Sequence, residues 1–576
     1  MRHSCLQSYS QAKGNGLQNE GFRHVNARAN AFNGFLSRQP RVNKNTRFLA
    51  RVQSEQSPHT NESTPEASTS GRPYSQEDLN DYHHVIDTEQ FRSLGYKVVD
   101  FIADYYKGLE EGRHPVKPNI KPGFLNGQLP KSPPEKPEPW ANIFEDFKSK
   151  LMPGVLHWQS PSFYGYFPAN SSYPSMLADW LGSASNMIGF SWAAGPVSTE
   201  LEMLMMDWLG QLLGLPSKFL YSSGHQQRGS APCSPGSPCT HSQGVPKSIR
   251  PQPVDVHKCN AVQGTSSEAV LVALLAARAR TLRGRPKSDA LNLVAYSSDQ
   301  AHSAFKKACM IVGINHVRVL PTRAEDDYAL QPSVLQAAIE EDIASGLLPC
   351  YLCATIGTTS SCAVDPVGDL ARVGRAAATG PVWSHVDAAY AGSAAVCPEQ
   401  RAMHFQGLEE LDSYSFNPHK WMLTNFDCCA MWTADATGNA LDLKDLQIPL
   451  GRRFRSLKLL FVMRCYGAER LRAYIRHHCA LAAWFADKMQ EDSRFELAAP
   501  QRFGLVCFRL AGMPNEVNKA LLDALNARGD MFLIHTELNG KYTIRLAVGS
   551  TGTQLRHVQH VWVVVQEEAS KLLAAQ

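Results

Sequence analysis

The chain has 576 residues, of which 43% are hydrophobic and 19% charged, a balance typical of a soluble globular protein with a large core. Its net charge of +4 is small, and no basic patch interleaved with aromatic residues points to a nucleic-acid partner. No apolar run is long enough to cross a bilayer, so we expect no membrane partner.

The N-terminal segment differs in composition from the rest of the chain. Residues 1–54 carry nine Lys or Arg residues but one acid, Glu20, and they lack the apolar stretch of a secretory signal. This composition is similar to that of an organelle transit peptide, for a plastid or a mitochondrion; the alternative is a solvated tail on a cytoplasmic protein. A Ser/Thr/Glu/Pro-rich linker follows, so we predict that residues 1–75 are disordered.

Two helices are predicted before the first strands. Residues 91–109 have apolar side chains at helical spacing, and a Pro-rich extended stretch follows at 115–139. Residues 199–213 form the second helix, with Thr199 as a plausible N-cap and Glu202 completing a capping box. We assign residues 76–172 to a helical dimerisation arm.

Helices and short strands alternate from residue 262 to residue 420, which predicts an α/β domain with a mostly parallel sheet at residues 173–458. The tail at 459–576 has a different pattern and predicts a small α+β domain. The predicted helices are 269–280, 303–312, 334–343, 466–491 and 515–528, and the predicted strands are 291–296, 316–320, 349–356, 382–386, 505–510 and 542–548.

Two features interrupt this pattern. Residues 222–261 are rich in Pro, Ser, Gly and Cys, so we predict a disordered insertion within the large domain. Cys350 and Cys353 form a CxxC motif, but it lies in an apolar run that reads as a buried strand. Without a second ligand pair it predicts free buried thiols and no metal site.

The chemistry centres on a carboxylate and a lysine. Asp387 follows the strand at 382–386, which places it at the carboxyl end of a strand, where open α/β sheets bind ligands. Ala388, Ala389 and Gly392 leave room beside it, and Lys420 follows a proline-constrained turn. Pyridoxal phosphate needs a lysine for its imine and a carboxylate for its pyridine nitrogen. The alternative is an ordinary buried aspartate and an unrelated surface lysine.

These motifs, taken with others, resemble the aromatic L-amino-acid decarboxylases. That group belongs to the group II, fold-type I pyridoxal-phosphate enzymes, whose large domain is aspartate aminotransferase-like. The resemblance covers roughly residues 77–221 and 260–576. The matching segments are 160–174, 188–202, 263–278, 298–303, 354–359, 385–393, 417–420, 450–458 and 506–510.

The resemblance implies three catalytic residues, Lys420, His302 and Asp387. Lys420 would hold the cofactor covalently, Asp387 would bind its pyridine nitrogen, and Ala389 would contact one face of its ring. His302 would stack on the other face, and Thr359 would lie near the ring or the substrate carboxylate. His302 could instead be a core histidine with satisfied hydrogen bonds.

The resemblance also implies a phosphate site, a substrate pocket and a homodimer. A small-residue turn that opens a helix suits an anion physically, although it could be a plain helix cap. For the pocket, core packing is the alternative, and part of the pocket would come from the second subunit. The phosphate residues would be Thr265, Ser266, Ser267, Asn417 and His419, and the pocket residues Pro168, Ile188, Phe190 and Gly451.

The implied activity is that of a carboxy-lyase, which converts tryptophan, tyrosine or DOPA to the arylalkylamine and CO₂. One departure qualifies it: relatives carry a tyrosine on a mobile loop, whereas residues 433–449 here are short and contain no Tyr. The alternatives are an aromatic acetaldehyde synthase and a cofactor-binding homologue without turnover. Together with the insertion, the short loop suggests a gene model with a retained intron and a skipped exon.

Overall fold

The computed structural model describes residues 87–224, 260–434 and 443–575. The predicted transit peptide and linker, and most of the predicted insertion at 222–261, lie outside these ranges. Asn260 and Ala261, the last two residues of the predicted insertion, are buried, and Ala261 begins the first strand. The insertion therefore ends before the point that its composition suggests.

The elements are numbered in chain order. The strands are β1 (Ala261–Gln263), β2 (Leu293–Ser298), β3 (His316–Leu320), β4 (Leu348–Thr355), β5 (Trp383–Asp387), β6 (Ser413–Phe416), β7 (Cys429–Thr433), β8 (Phe495–Leu497), β9 (Leu505–Leu510), β10 (Ile534–Leu538) and β11 (Lys541–Ala547). The α-helices are α1 (Thr88–Glu110), α2 (Trp140–Asp146), α3 (Tyr173–Ser185), α4 (Pro196–Leu213), α5 (Ser266–Thr281), α6 (Ala304–Val312), α7 (Pro332–Ala344), α8 (Val367–Arg375), α9 (Pro398–His404), α10 (Pro418–Trp421), α11 (Ser456–Glu491), α12 (Asn515–Ala527) and α13 (Leu555–Ala574).

A seven-stranded sheet has the order β1-β7-β6-β5-β4-β2-β3. Strands β2 to β6 pair in parallel, β7 pairs antiparallel with β6, and β1 pairs antiparallel with β7 at the edge, so that β7 alone among the seven runs in the opposite direction. The central strands are buried along their whole length because helices cover both faces, as parallel sheets require. The predicted α/β class with a mostly parallel sheet is confirmed.

A four-stranded antiparallel sheet with the order β10-β11-β9-β8 forms the C-terminal α+β part. Its apolar face packs with α12, α13 and the second half of α11 around a separate core. Helix α1 provides the predicted N-terminal helical arm. Residues from Asp87 onward cluster as one compact unit, so the predicted boundaries after residues 172 and 458 stay predictions.

The predicted N-cap and capping box of the second helix are wrong. Helix α4 begins at Pro196 with Gly195 as its N-cap, because proline is well suited to the first helical position. Thr199 therefore lies inside the helix and its hydroxyl donates to the Gly195 carbonyl at 3.2 Å, while Glu202 forms a buried ion pair with Arg452 instead of a capping box.

The helix predicted at 466–491 begins ten residues earlier, at Ser456. Gly467, with φ of 62° and ψ of 174°, breaks α11 into two helical stretches. A glycine adopts this conformation without steric cost, so the break needs no proline. Within the described ranges, no helix has the length and apolar character needed to cross a membrane.

Candidate active site

The parallel strands β4, β5 and β6 end side by side and build the floor of a crevice. In the strand register, Thr355 is opposite Asp387, and Asp387 is opposite Ser415. The chain then turns after β6 into the short helix α10, which carries Lys420. The carboxylate and the lysine therefore meet at the carboxyl edge of the sheet, where α/β enzymes place their ligands.

A cavity of about 210 Å³ lies at this edge. All ten residues predicted to bind the cofactor line it, which the spacing of the motifs along the chain did not guarantee. Four further lining residues were not predicted. The complete lining is Phe167, Thr265, Ser266, Ser267, His302, Thr355, Gly357, Thr359, Asp387, Ala389, Tyr390, Asn417, His419 and Lys420.

Lys420 is partly buried in the cavity wall, and desolvation lowers the pKa of its amine below the usual value for lysine. The negative charge of Asp387 opposes that effect without cancelling it. Oδ1 of Asp387 accepts a hydrogen bond from the backbone N–H of Ala389 at 2.9 Å, which fixes the carboxylate in the wall of the cavity. An amine with a lowered pKa is a better nucleophile at neutral pH, because more of it is uncharged.

His302 forms another wall of the cavity. Its Nδ1 accepts a hydrogen bond from the backbone N–H of Ala304 at 3.1 Å. Burial lowers the pKa of the imidazole. A neutral ring whose Nδ1 is an acceptor must carry its hydrogen on Nε2, so His302 offers an N–H donor from that atom.

The turn before α5 has the features of an anion site. Thr265 is the N-cap of this 16-residue helix, and the Ser266 hydroxyl donates to Asn417 Oδ1 at 2.8 Å. His419 Nδ1 accepts from the backbone N–H of Cys428 at 2.9 Å, and burial lowers the pKa of His419 to about 3. The ring is therefore neutral with its hydrogen on Nε2. Hydroxyls, an imidazole N–H and a helix N-terminus around one cavity suit a phosphate.

These residues fit pyridoxal phosphate. The buried amine suits its aldehyde, the carboxylate suits its pyridine nitrogen, and the turn suits its phosphate. Asp387 is buried and Lys420 partly buried, and such a cofactor would be a partner for both side chains.

Three stacked aromatic rings lie next to Lys420. The rings of Phe167 and Tyr390 stack with centroids 3.8 Å apart, and the Tyr390 ring stacks on Trp421 at 4.8 Å. Arg545 of β11 is 3% exposed and lies over Phe167 with its guanidinium 5.1 Å from the ring centroid. Its Nε and Nη2 have no hydrogen-bond partner within the described ranges. Phe167, Tyr390 and Arg545 were not among the site residues predicted from the sequence.

The predicted substrate-pocket residues lie elsewhere on the chain. Pro168, Ile188, Phe190 and Gly451 are absent from the cavity lining. Ile188 is 55% exposed, and a Cβ added to Gly451 would lie 3.9 Å from its side chain, so these two are neighbours on the surface. Pro168 instead packs closely against Gly549. A single chain thus brings the cofactor residues together but not the predicted pocket.

The described end of the 433–449 connection, residues 443–449, makes hydrogen bonds to β1 and α5. The Gln263 side chain donates to the Leu446 carbonyl, and the Ile448 N–H donates to Glu268 Oε1 at 3.2 Å. The other oxygen of Glu268 accepts from the N–H of Gly264 at 3.0 Å, next to the anion-binding turn. Residues 443–449 are therefore held by hydrogen bonds from β1 and from the start of α5.

Cys350 and Cys353 are both buried in β4, as predicted. Their thiols have raised pKa values because burial disfavours the thiolate. In the part of the chain that the structure describes, no group of three His, Cys, Asp or Glu side chains could hold a metal ion.

The fold and the cavity define an α/β enzyme that uses pyridoxal phosphate. The sequence matches the pyridoxal-dependent decarboxylase conserved domain over residues 122–234 and 251–511, and the chain belongs to that family. The match omits residues 235–250, which lie in the predicted insertion.

Individual relatives cover most of the chain. It is 44% identical to phenylacetaldehyde synthase of Arabidopsis thaliana over 85% of this chain and 97% of that protein. It is also 44% identical to tyrosine decarboxylase 2 of Narcissus pseudonarcissus, over 85% and 96% of the two chains. The crystal structure of Catharanthus roseus tryptophan decarboxylase in complex with L-tryptophan is similar, with a TM-score of 0.76 and 39% identity over 85% of this chain and 100% of that one.

Proposed function

We propose that this chain is an aromatic L-amino-acid decarboxylase that releases CO₂ and the arylalkylamine. The observation that carries the proposal is the meeting of Lys420, Asp387 and the anion-binding turn at 265–267 around one cavity. The relatives that share the fold are named for tyrosine, tryptophan and aromatic-L-amino-acid decarboxylases. We infer that an aromatic amino acid is the substrate here as well.

Bound through Lys420, pyridoxal phosphate supplies a conjugated ring that takes up the electron pair left when the carboxylate departs. Asp387 holds a proton at the pyridine nitrogen, and Ala389 and His302 bound the two faces of the ring. Thr265, Ser266, Ser267, Asn417 and His419 bind the phosphate. Thr359 contributes a hydroxyl near the ring or the substrate carboxylate.

Arg545 is the cation best suited to the carboxylate of the substrate. It lies behind the cavity lining, buried against Phe167, which does line the cavity, and two of its guanidinium nitrogens are unpaired within the described ranges. Burying an unpaired charge is costly, so such a residue is favoured where a ligand supplies its partner. An arginine can bind a carboxylate through two parallel hydrogen bonds and so orient the bond that breaks.

The aromatic side chain needs room beyond the cavity of a single chain. A volume of about 210 Å³ is smaller than the roughly 300–1,000 Å³ of ordinary ligand pockets. Ile188 and Phe190 are exposed here and would line the pocket only if a second subunit brought them to the cavity. We therefore propose a two-fold symmetric homodimer whose substrate pockets combine residues from both chains.

The exposed apolar surface supports this dimer. Large apolar side chains of α1 and α3 flank an open groove of about 440 Å³, whereas monomeric proteins rarely expose contiguous apolar patches of this kind. The exposed side chains include Phe91, Tyr96, Tyr173, Leu177, Trp180 and Ile188. Sedimentation of the purified protein should give the mass of a dimer, and a monomer that still binds substrate tightly would contradict the proposal.

A second function has support from one observation. Decarboxylation must end with a proton transferred to Cα, and residues 433–449 lack the loop tyrosine that the resemblance to aromatic L-amino-acid decarboxylases implies. The 44% identity to a phenylacetaldehyde synthase makes oxidative deamination to an aldehyde the alternative. A homologue that binds the cofactor without turnover is the third outcome.

One experiment separates these outcomes. Purified protein with pyridoxal phosphate is mixed with L-tryptophan, L-tyrosine or L-DOPA, and amine, aldehyde, CO₂, ammonia and hydrogen peroxide are quantified. We expect amine and CO₂ without peroxide. Aldehyde with peroxide and ammonia would identify a synthase. A visible absorption band that depends on Lys420 but gives no product would identify a non-catalytic homologue.

We also propose that residues 1–54 direct the chain to a plastid or a mitochondrion, because of their basic composition. A fluorescent fusion of the full chain tests this. Fluorescence confined to the cytosol would contradict it.

A further inference from the structure

A buried asparagine forms hydrogen bonds to the short turn that carries Lys420. Asn170 is 1% exposed and lies beside this turn, which we define as residues 417–423 and call the lysine turn. The backbone N–H of Asn170 donates to the His419 carbonyl at 2.9 Å. Its side-chain Oδ1 accepts from the backbone N–H of Leu423 at 3.3 Å. The two contacts lie on either side of Lys420.

The same amide also contacts the C-terminal part of the fold. Its Nδ2 donates to the carbonyl of Gly549, just beyond β11, at 2.8 Å. The hydroxyl of Tyr474 in α11 lies 2.9 Å from Asn170 Oδ1 and 3.2 Å from the Gly549 oxygen. Asn170 thus joins the lysine turn to α11 and to the end of the strand that carries Arg545.

The lysine turn needs such support because part of it is strained. Leu423 has a φ of 55°, in the left-handed region that non-glycine residues seldom adopt. A strained residue of this kind persists only where surrounding contacts hold it, and such residues cluster at functional sites. Asn170 holds the N–H of Leu423, and the hydroxyl of Ser172 donates to its carbonyl at 2.6 Å.

A second contact holds the lysine turn from the same helix. The indole N–H of Trp421 donates to Nδ1 of His478 at 2.9 Å, and His478 lies one turn beyond Tyr474 in α11. Helix α11 therefore supports the lysine turn in two ways. His478 accepts directly from Trp421, and Tyr474 contacts Asn170, which in turn contacts the backbone on both sides of Lys420.

We propose that Asn170 is a positioning residue for Lys420, and that its side-chain amide fixes the position of the lysine turn relative to Gly549, just beyond β11. The inference rests on the proposed role of Lys420 as the cofactor lysine. Asn170 itself lies outside the cavity lining. It acts through the backbone on both sides of Lys420 and fixes the direction in which the amine enters the cavity.

The test compares Asn170→Ala with a matched control, Asn518→Ala. Asn518 is a fully buried amide in the α+β part that accepts from the Leu510 N–H at 2.7 Å and donates to the Pro514 carbonyl at 3.1 Å. Both variants lose a buried amide and should lose similar amounts of stability. A merely structural role predicts equal behaviour in every other measurement.

The decisive readout is the rate at which cofactor-free protein develops its visible absorption band after pyridoxal phosphate is added, measured across a pH series. We expect Asn170→Ala to react about tenfold more slowly, as expected for the loss of one buried hydrogen-bonded group, and with a shifted pH midpoint. Asn518→Ala should match the wild type in both rate and midpoint.

A second variant tests the inference even if Asn170→Ala does not fold. Tyr474→Phe removes one contact to Asn170 and keeps the amide, so we expect it to slow the reaction several-fold in the same direction. If Asn170→Ala folds and reacts as Asn518→Ala does, the inference is wrong. If Asn170→Ala does not fold, a wild-type rate in Tyr474→Phe overturns it. A wild-type protein that gives no band dependent on Lys420 would instead refute the proposed function.

Discussion

The guanidinium of Arg545 lies 5.1 Å from the centroid of the Phe167 ring, and the amine of Lys420 lies 5.9 Å from the same centroid. One aromatic ring therefore lies close to both cations. Phe167 is fixed in turn by its stacking on Tyr390. The positive charge of Arg545 also contributes to the lowered pKa of Lys420, after the larger effect of burial.

Replacing Arg545 should weaken substrate binding. A hydrogen bond to a charged group contributes roughly 1.5–3 kcal/mol, so Arg545→Met should raise KM or lower kcat/KM roughly tenfold to a hundredfold. Steady-state kinetics with an aromatic amino acid give the answer. Arg509→Met is the control, because Arg509 is a buried arginine that pairs with Glu496 and lies outside the cavity lining. Equal kinetics in the two variants would contradict a role in carboxylate binding.

Replacing Lys420 should abolish turnover but strengthen the cofactor-free fold. The pKa of its amine is lower in the folded than in the unfolded state, so at neutral pH folding favours loss of a proton and costs free energy. Lys420→Met removes that cost, and we expect a higher Tm without cofactor. With pyridoxal phosphate, the wild type should gain more stability than Lys420→Met, which keeps the phosphate site but cannot bind the cofactor covalently. Calorimetry of both proteins, with and without cofactor, measures the four values.

Acid should destabilise the fold through buried histidines. Burial lowers the pKa values of His385 and His478 to about 3, from a usual value of 6.5. The unfolded chain binds more protons between these values, so stability is fully present above pH 6.5 and falls as the pH decreases. At pH 5 each histidine costs about 2 kcal/mol. Urea unfolding at pH 7 and pH 5 measures the loss.

His478→Gln should reduce this pH dependence, because glutamine does not titrate and can still accept from Trp421. The difference between pH 7 and pH 5 should shrink by about 2 kcal/mol. An unchanged difference would mean that His478 is protonated in the folded state.

Removing one partner of the buried ion pair between Glu202 and Arg452 should destabilise the fold more than replacing both partners with apolar residues. Both side chains are 2% exposed. Glu202 also accepts from the Val262 N–H at 2.7 Å, and Arg452 donates to the Gln447 side chain at 2.6 Å. Arg452→Ala leaves a buried carboxylate without its partner and should cost about 3–5 kcal/mol. The double variant Glu202→Leu with Arg452→Met should cost less than Arg452→Ala alone, as denaturant unfolding would show.

Much of the fold could be predicted because apolar periodicity is strong in its helices and central strands. Strand β3 was predicted with its observed bounds, and β9 likewise. Strand β6 was missed because it alternates serine with aromatic residues and looks half polar. Its Ser413 and Ser415 are buried because they satisfy the ring nitrogens of His385 at 2.8 and 3.3 Å. That partnership joins two strands and is invisible in the local sequence.

Some residues of the candidate site could be predicted from the sequence and others could not. The residues on the cavity wall came from contiguous motifs, so matching the motifs located them. Arg545 and Phe167 were missed because they approach each other across 378 residues of chain, and nothing in either segment indicates the other. The pocket predicted around Ile188 is not assembled in one chain, because Pro168, Ile188, Phe190 and Gly451 all lie outside the cavity lining.

Strand β1 forms the outer edge of the seven-stranded sheet and pairs with β7 alone. The extra segment before it therefore enters the fold at a margin, where no neighbouring strand has to be displaced. Closing a loop costs only about 0.6 kcal/mol more for each doubling of its length. We expect a variant that lacks residues 235–250 to fold to the same sheet, because the deletion shortens a connection and leaves the pairing of β1 with β7 in place.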